Sequence, residues 1–270
     1  MPKQFLVFTA LAAALALTAS PARAADFRVC ADPDYLPFSN RAGQGFENKI
    51  AAYVAKTLGE RLVYHYGDTR GTGGFGQFVQ HTLDANRCDV LIDVPYGAPK
   101  VLSTDYYYVS SYVFVYLKRN KYDITSMDSP KLQSLRIGFE ADTPAENGLK
   151  LRTLILHSVP FDTGDSPGES PSDMLEAVEN QRIGVGVTWE PAVGMFLQQR
   201  PDLTAVPVPN SRSQGSPEQY SFPMAMAVRE SDTARAALLN RVIALHKNEL
   251  TAILARNGVK LYKPSEVANQ

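Results

Sequence analysis

The sequence predicts an α/β fold of two lobes, each a mostly parallel sheet flanked by helices, joined by two extended crossings. Three observations carry this reading. Strand and helix patterns alternate with short links from Phe27 to Val94, the order that builds a parallel sheet. Tyr106–Leu117 is a twelve-residue run of aromatic and β-branched residues, longer than an ordinary strand and long enough to leave one lobe and enter another. A second α/β series follows it, closed by another long apolar segment, Tyr220–Val228.

The first strand is the apolar run Phe27–Ala31, stopped by the turn signal Asp32-Pro33-Asp34. Phe46, Ile50, Val54 and Leu58 recur at helical spacing, and Gly59 ends that helix. Leu62–Tyr66 reads as the second strand, Phe75–Leu83 as a helix with Phe75, Phe78, Val79 and Leu83 on its apolar side, and Asp89–Val94 as the third strand. After the polar break 120–131, Leu135–Phe139 is a strand. Thr143-Pro144-Ala145-Glu146 has the pattern of a capping box and opens a helix to about His157. Ser170-Pro171-Ser172-Asp173 repeats that start before a helix to about Asn180. Ile183–Trp189 is a strand, Pro191–Gln199 a short helix, and Thr233–Arg256 a long amphipathic one. The expected organisation is a leader at 1–24, a first lobe at 25–115, a second lobe at 116–224, and a return to the first lobe at 225–270.

The leader follows from Lys3, the apolar run Phe5–Leu17 and the small-x-small site Ala22-Arg23-Ala24. That is a cleaved secretory signal, too short for a membrane anchor. Export places the protein in the periplasm, away from nucleotides and reduced nicotinamide cofactors. Removing Lys3 and Arg23 leaves 25 basic residues against 28 acidic ones in the mature chain. A near-neutral, slightly acidic surface without a Lys/Arg run does not suit nucleic acid. A monomer is expected.

Cys30 and Cys88 are an even pair in an oxidising compartment. They either bridge or stay as two buried thiols, because a strand position for each, in parallel neighbours, sets them apart and a bridge needs Cα atoms within about 7 Å. His65, His81, His157 and His246 lack metal-ligand spacing, so no metal site is assigned.

In parallel-sheet folds a ligand lies outside the carboxyl ends of the strands. The loops there carry Asp32, Tyr35 and Phe38 after the first strand, and Asp93 and Tyr96 after the third. Tyr107 stands where the crossing begins, Thr143 at a helix N-terminus, and Trp189 and Glu190 after the last strand of the second lobe. These nine are the candidate cleft residues. Each has a structural alternative: Tyr35 and Phe38 as core caps, Thr143 as a helix cap, Trp189 as inter-lobe packing, Asp93 as a partner of a backbone donor.

The segments RVCADPDYLPFSN (28–40), GFENKIA (45–51), RCDVLIDVPYG (87–97), TDYYYVSSYVFVYLK (104–118) and PSDMLEAVENQRIGVGVTWEPAVGMF (171–196) resemble the periplasmic solute-binding-protein superfamily. Within it they are most similar to the accessory "J" proteins (MxaJ/XoxJ-like) of bacterial quinoprotein methanol dehydrogenase systems. The resemblance spans nearly the whole mature chain. It implies a periplasmic binding protein fold, no enzymatic activity or cofactor of its own, and a pyrroloquinoline-quinone methanol dehydrogenase or its cytochrome c as partner. The alternative within the same superfamily is a receptor that delivers a small organic ligand to an ABC importer. One departure bears on the ligand. Amino-acid-binding relatives place an arginine just ahead of the crossing to clamp the ligand carboxylate. This chain reads GAPKVLSTDYYY there, with Lys100 the nearest basic residue and no arginine between Arg87 and Arg119. A cleft of aromatic residues without that clamp suits an apolar group or a peptide segment.

Other chemistry finds little support. Gly71-Thr72-Gly73-Gly74-Phe75-Gly76 matches G-x-G-x-x-G, but it follows the second strand at a distance and reads as a loop into a helix. No Ser, His and Asp sit at positions that suggest a hydrolase triad. Asp32 and Asp93 lack a catalytic motif around them.

Overall fold

A computed structural model describes residues 24–69, 74–161 and 169–263. The leader and Gly71–Gly73 of the glycine-rich loop lie outside the described residues. The elements run β1 (Asp26–Ala31), β2 (Asp34–Tyr35), β3 (Ser39–Asn40), α1 (Phe46–Leu58), β4 (Arg61–Tyr66), α2 (Gly74–His81) and β5 (Val90–Pro95). Then come β6 (Leu102–Leu117), β7 (Ile137–Glu140), α3 (Pro144–Leu151), β8 (Ser158–Phe161), α4 (Pro171–Glu179) and β9 (Val185–Trp189). The chain finishes with α5 (Glu190–Leu197), β10 (Leu203–Pro207), β11 (Ser221–Val228) and α6 (Thr233–Arg256).

The described strands join in the order β4-β1-β5-β11-β6-β9-β7-β8, with β10 also paired to β6. β1 runs parallel to β4 and β5, and β7 runs parallel to β8 and β9. The two crossings, β6 and β11, pair antiparallel to each other and to their sheets. The N-terminal half of β6 bonds to β11 from Leu102 to Ser111, and its C-terminal half bonds to β9 and β10 from Tyr112 to Leu117. One 16-residue strand therefore belongs to two sheets.

Each sheet has its own core. Phe27, Val29, Phe46, Ile50 and Val54 pack with Leu239, Leu250 and Leu254 of α6 on the first. In the second, the pleat of β6 divides its side chains. Tyr112, Phe114 and Tyr116 face a core with Ile137, Leu149 and Val187. Val113, Val115 and Leu117 face another with Met174, Val178 and Val193. Trp189 and Phe222 touch the first core and the second, so the aromatic pair links the two lobes.

Local chemistry sets the element ends. Gly59 closes α1 in the left-handed region at φ 67, a conformation glycine adopts without a Cβ penalty. The box opening α4 forms as the sequence predicts: Ser170 Oγ accepts from Ser172 N, and Asp173 accepts from Ser170 N at 3.0 Å. The box expected at α3 does not. Thr143 Oγ1 donates back to Glu140 O at 2.7 Å, and Glu146 accepts from Asp142 N, one residue ahead of the cap. That helix also stops at Leu151, and a 3-10 turn covers Leu154–His157. Arg152 is drawn aside there, bonded to Asp128 and Glu218.

Cys30 and Cys88 form a disulfide with Cα atoms 5.3 Å apart. Cys88 lies two residues ahead of β5, outside the ladder, so strand geometry does not hold the pair apart. The bridge closes a loop of 58 residues. Chain-entropy arithmetic gives such a closure about 4 kcal/mol. The double variant Cys30→Ser/Cys88→Ser is expected to unfold at markedly lower denaturant than the wild type, and dithiothreitol is expected to move the wild type toward the variant. An unchanged midpoint in both experiments would contradict a structural role for the bridge.

Candidate functional site

A cavity of about 470 Å³ opens between the two sheets at the carboxyl ends of their parallel strands. The loop after β1 brings Tyr35 and Phe38, whose rings are tilted by 30° with centroids 4.8 Å apart. β5 ends in Asp93 and Pro95, and β11 contributes Phe222 and Met224. From the second lobe come Glu140, Ala141, Asp142, Thr143 and Pro144 at the turn from β7 into α3. Phe161 ends β8, and Trp189 ends β9. Trp189 lies 5.3 Å from Tyr112 and 5.9 Å, edge-on, from Phe222. The two crossings thus build the back wall from aromatic rings.

The carboxylates differ in their surroundings. Asp93 sits in the left-handed region at φ 63 and accepts a hydrogen bond from the Tyr108 hydroxyl. Burial pushes its acid up to about 7, against the opposing pull of the Tyr108 bond. Glu140 is buried and accepts from Thr188 Oγ1 at 2.5 Å and from Trp189 N at 3.4 Å. Asp142 is exposed at the mouth. Burial, with the Asp93 charge adding to it, pushes Glu47 well up in a smaller chamber behind Tyr35 and Phe38. Among the described residues no Lys, Arg or His lines the main cavity.

Of the nine candidate residues, Tyr35, Phe38, Asp93, Thr143 and Trp189 meet at this cavity. The other four are elsewhere. Tyr107 is fully buried in the first core, because the crossing starts earlier than the sequence suggested, at Leu102, and Tyr107 lies inside the ladder. Glu190 is 3 % exposed and turned away: both its oxygens accept from Lys260 N, at 3.0 and 3.1 Å, and burial pushes its acid up to about 8. Asp32 is buried behind the cavity, accepting from Thr69 N, Thr69 Oγ1 and Asp34 N. Tyr96 is exposed, edge-on to Tyr106 at 6.2 Å. Sequence reasoning missed Tyr112, Glu140, Phe161 and Phe222 as lining residues. Glu140 had a readable signal, a carboxylate ending a strand in the same way as Asp93. Tyr112 and Phe222 lie in long apolar segments whose facing the pattern does not resolve.

No protein-family model matches the chain. The Protein MoxJ of Methylorubrum extorquens is 29% identical over 288 residues, covering 94% of this chain and 93% of that one. The crystal structure of the periplasmic binding protein XoxJ from Methylobacterium extorquens AM1 superposes with a TM-score of 0.68 at 30% identity, over 88% of this chain and 99% of that one. The chain belongs to the MxaJ/XoxJ family of periplasmic binding proteins. The crystal structure of MxaJ from Methlophaga aminisulfidivorans MPT shares the fold at a TM-score of 0.76 and 23% identity, over 87% of this chain and all of that one. In this MxaJ/XoxJ-type fold the cavity occupies the place between the sheets that the strand ends dictate. Among the described residues no helix is long and apolar enough to cross a membrane.

The raised acids give a pH signature. Asp93 rises from 3.8 to about 7 on folding and Glu190 from 4.5 to about 8. The folded chain then holds protons that the unfolded chain releases, so stability falls as pH rises through this window. The melting temperature is expected to drop between pH 5 and pH 8. Asp93→Asn should remove part of that drop and gain on the order of 2–4 °C at pH 8 per kcal/mol recovered. Identical pH profiles for variant and wild type would contradict the assignment of Asp93.

Proposed function

We propose that this protein is a periplasmic accessory factor of a pyrroloquinoline-quinone methanol or alcohol dehydrogenase. On this reading its leader exports it and is cleaved. It then binds the dehydrogenase or its cytochrome c through the cleft and assists activation or maturation, with no chemistry of its own. The observation that supports this best is a receptor-like cleft whose lining, among the described residues, has six aromatic side chains and no basic one. An amino-acid receptor needs a bidentate cation for the ligand carboxylate, and none of the described lining residues supplies it. Aromatic side chains around a concave site are instead the composition of a protein-recognition surface. The kinship with MoxJ and XoxJ chains supports the same assignment.

The competing reading, a solute receptor feeding an importer, draws on the shared fold alone. Affinity capture from the periplasm of methanol-grown cells separates the two. The expected result is recovery of a dehydrogenase subunit or cytochrome c, lost when Tyr35→Ala and Trp189→Ala are combined. Recovery of neither at low or high salt, together with a thermal shift for a small acid, alcohol or amine, would contradict the accessory role.

A further inference from the structure

The lobes are tied at a further place besides β6 and β11. Residues 257–262 leave the end of α6 in the first lobe and finish in the second. Their start is anchored: Asn257 Oδ1 accepts from Lys49 Nζ of α1 at 2.5 Å, and Val259 packs in the first core. Lys260 N then donates to both oxygens of Glu190, the first residue of α5, at 3.0 and 3.1 Å. Tyr262 packs in the second lobe with Val113, Val178 and Val193. Its amide donates to Val109 O of β6 at 3.2 Å. Val109 faces Pro223 in the ladder with β11, and a proline has no N–H to offer. Gly194 of α5 and Gly258 meet backbone to backbone, since a Cβ added to either would overlap the other. Gly258 takes φ 88 there, which glycine adopts at no steric cost.

Closure of two lobes around a ligand is absorbed by a few residues that change their backbone angles. The waist of β6 offers little room for that. Ser111 pairs with Ser221, and its hydroxyl lies 3.2 Å from both Val208 O and Tyr220 O. Tyr112 N donates to Tyr220 O at 2.7 Å, and Tyr112 O accepts from Val208 N at 2.8 Å. Swinging one lobe against the other would strain these bonds. It would also draw Val259 from one core or Tyr262 from the other. Parting Lys260 N from Glu190 would leave a buried carboxyl group without its donor, a costly state.

We propose that residues 257–262 are a strap that fixes the angle between the lobes, so that the cleft is a preformed site that does not close over its occupant. A preformed site loses no binding energy to closure. It also lacks the swing by which a two-lobed receptor engulfs a small ligand. The inference goes beyond the accessory role and does not depend on what enters the cleft.

The test places a reporter on each lobe of the purified full chain, Tyr96→Cys beside Pro95 and Ala141→Cys on the opposite wall, both exposed positions. Spin labels on the pair give the resting span. Bismaleimides of graded length then trap any approach of the lobes, however brief. With the strap intact, a single narrow distance is expected, and only reagents as long as that span should bridge the pair. Gly194→Ala favours the helix α5 but drives a methyl group into Gly258. Glu190→Ala removes the acceptor of Lys260 N. Each should be bridged by shorter reagents at least tenfold faster. Glu190→Gln keeps an oxygen for Lys260 N and should bridge as the intact chain does. Rapid bridging of the intact chain by short reagents would overturn the proposal. So would Gly194→Ala and Glu190→Ala proteins that melt cooperatively and bridge no faster. If either variant fails to fold, the pattern of the intact chain decides: long reagents only supports the strap, short reagents overturn it.

Discussion

The whole arrangement depends on the backbone ladder of β6. Its first ten residues are bonded into one sheet and its last six into the other. Each sheet needs that strand to complete its hydrogen bonding, and buried backbone groups without partners are costly. The two lobes are therefore joined by continuous structure rather than by a tether. β11 runs beside it in the opposite direction. Together they fix where the parallel strands of both sheets end, and those ends define the cleft.

Packing reinforces the joint on both sides. Trp189 and Phe222 reach both lobes at the cleft floor. Behind it, the residues after α6 cross from one lobe to the other: Val259 packs in the first core and Tyr262 in the second lobe's. Between them Lys260 N is held by the Glu190 carboxylate. Gly194 and Gly258 permit the close approach, since a Cβ on either would lie about 2.5 Å from the other's backbone. Glu190 is thus spent on holding the crossing together, which explains why an acid next to the cleft tryptophan does not enter the cleft.

Much of this was legible in the sequence. The parallel segments, both crossings and the bounds of α6 follow from apolar periodicity, and the strand-end rule brought out five of the lining residues. What escaped has identifiable causes. β8 and β10 are short and contain proline, which lowers the strand signal although both pair along one side. Tyr107 and Tyr112 lie on one strand five residues apart, and only the register with β11 and β9 places the first in a core and the second at the cavity. The inward turn of Glu190 depends on Lys260, seventy residues away. The kink of α6 at His246, bonded to Tyr53, is likewise a tertiary effect.

The central claim is that the hollow between the sheets, rather than the outer helices, is the surface this protein uses. Hydrogen–deuterium exchange with and without the dehydrogenase it is proposed to serve tests this directly. The account predicts slowed exchange in three separated segments at once, around Tyr35–Phe38, Ala141–Ala145 and Trp189–Ala192. Protection confined to the outward faces of α1, α4 or α6, with those three segments unchanged, would contradict it.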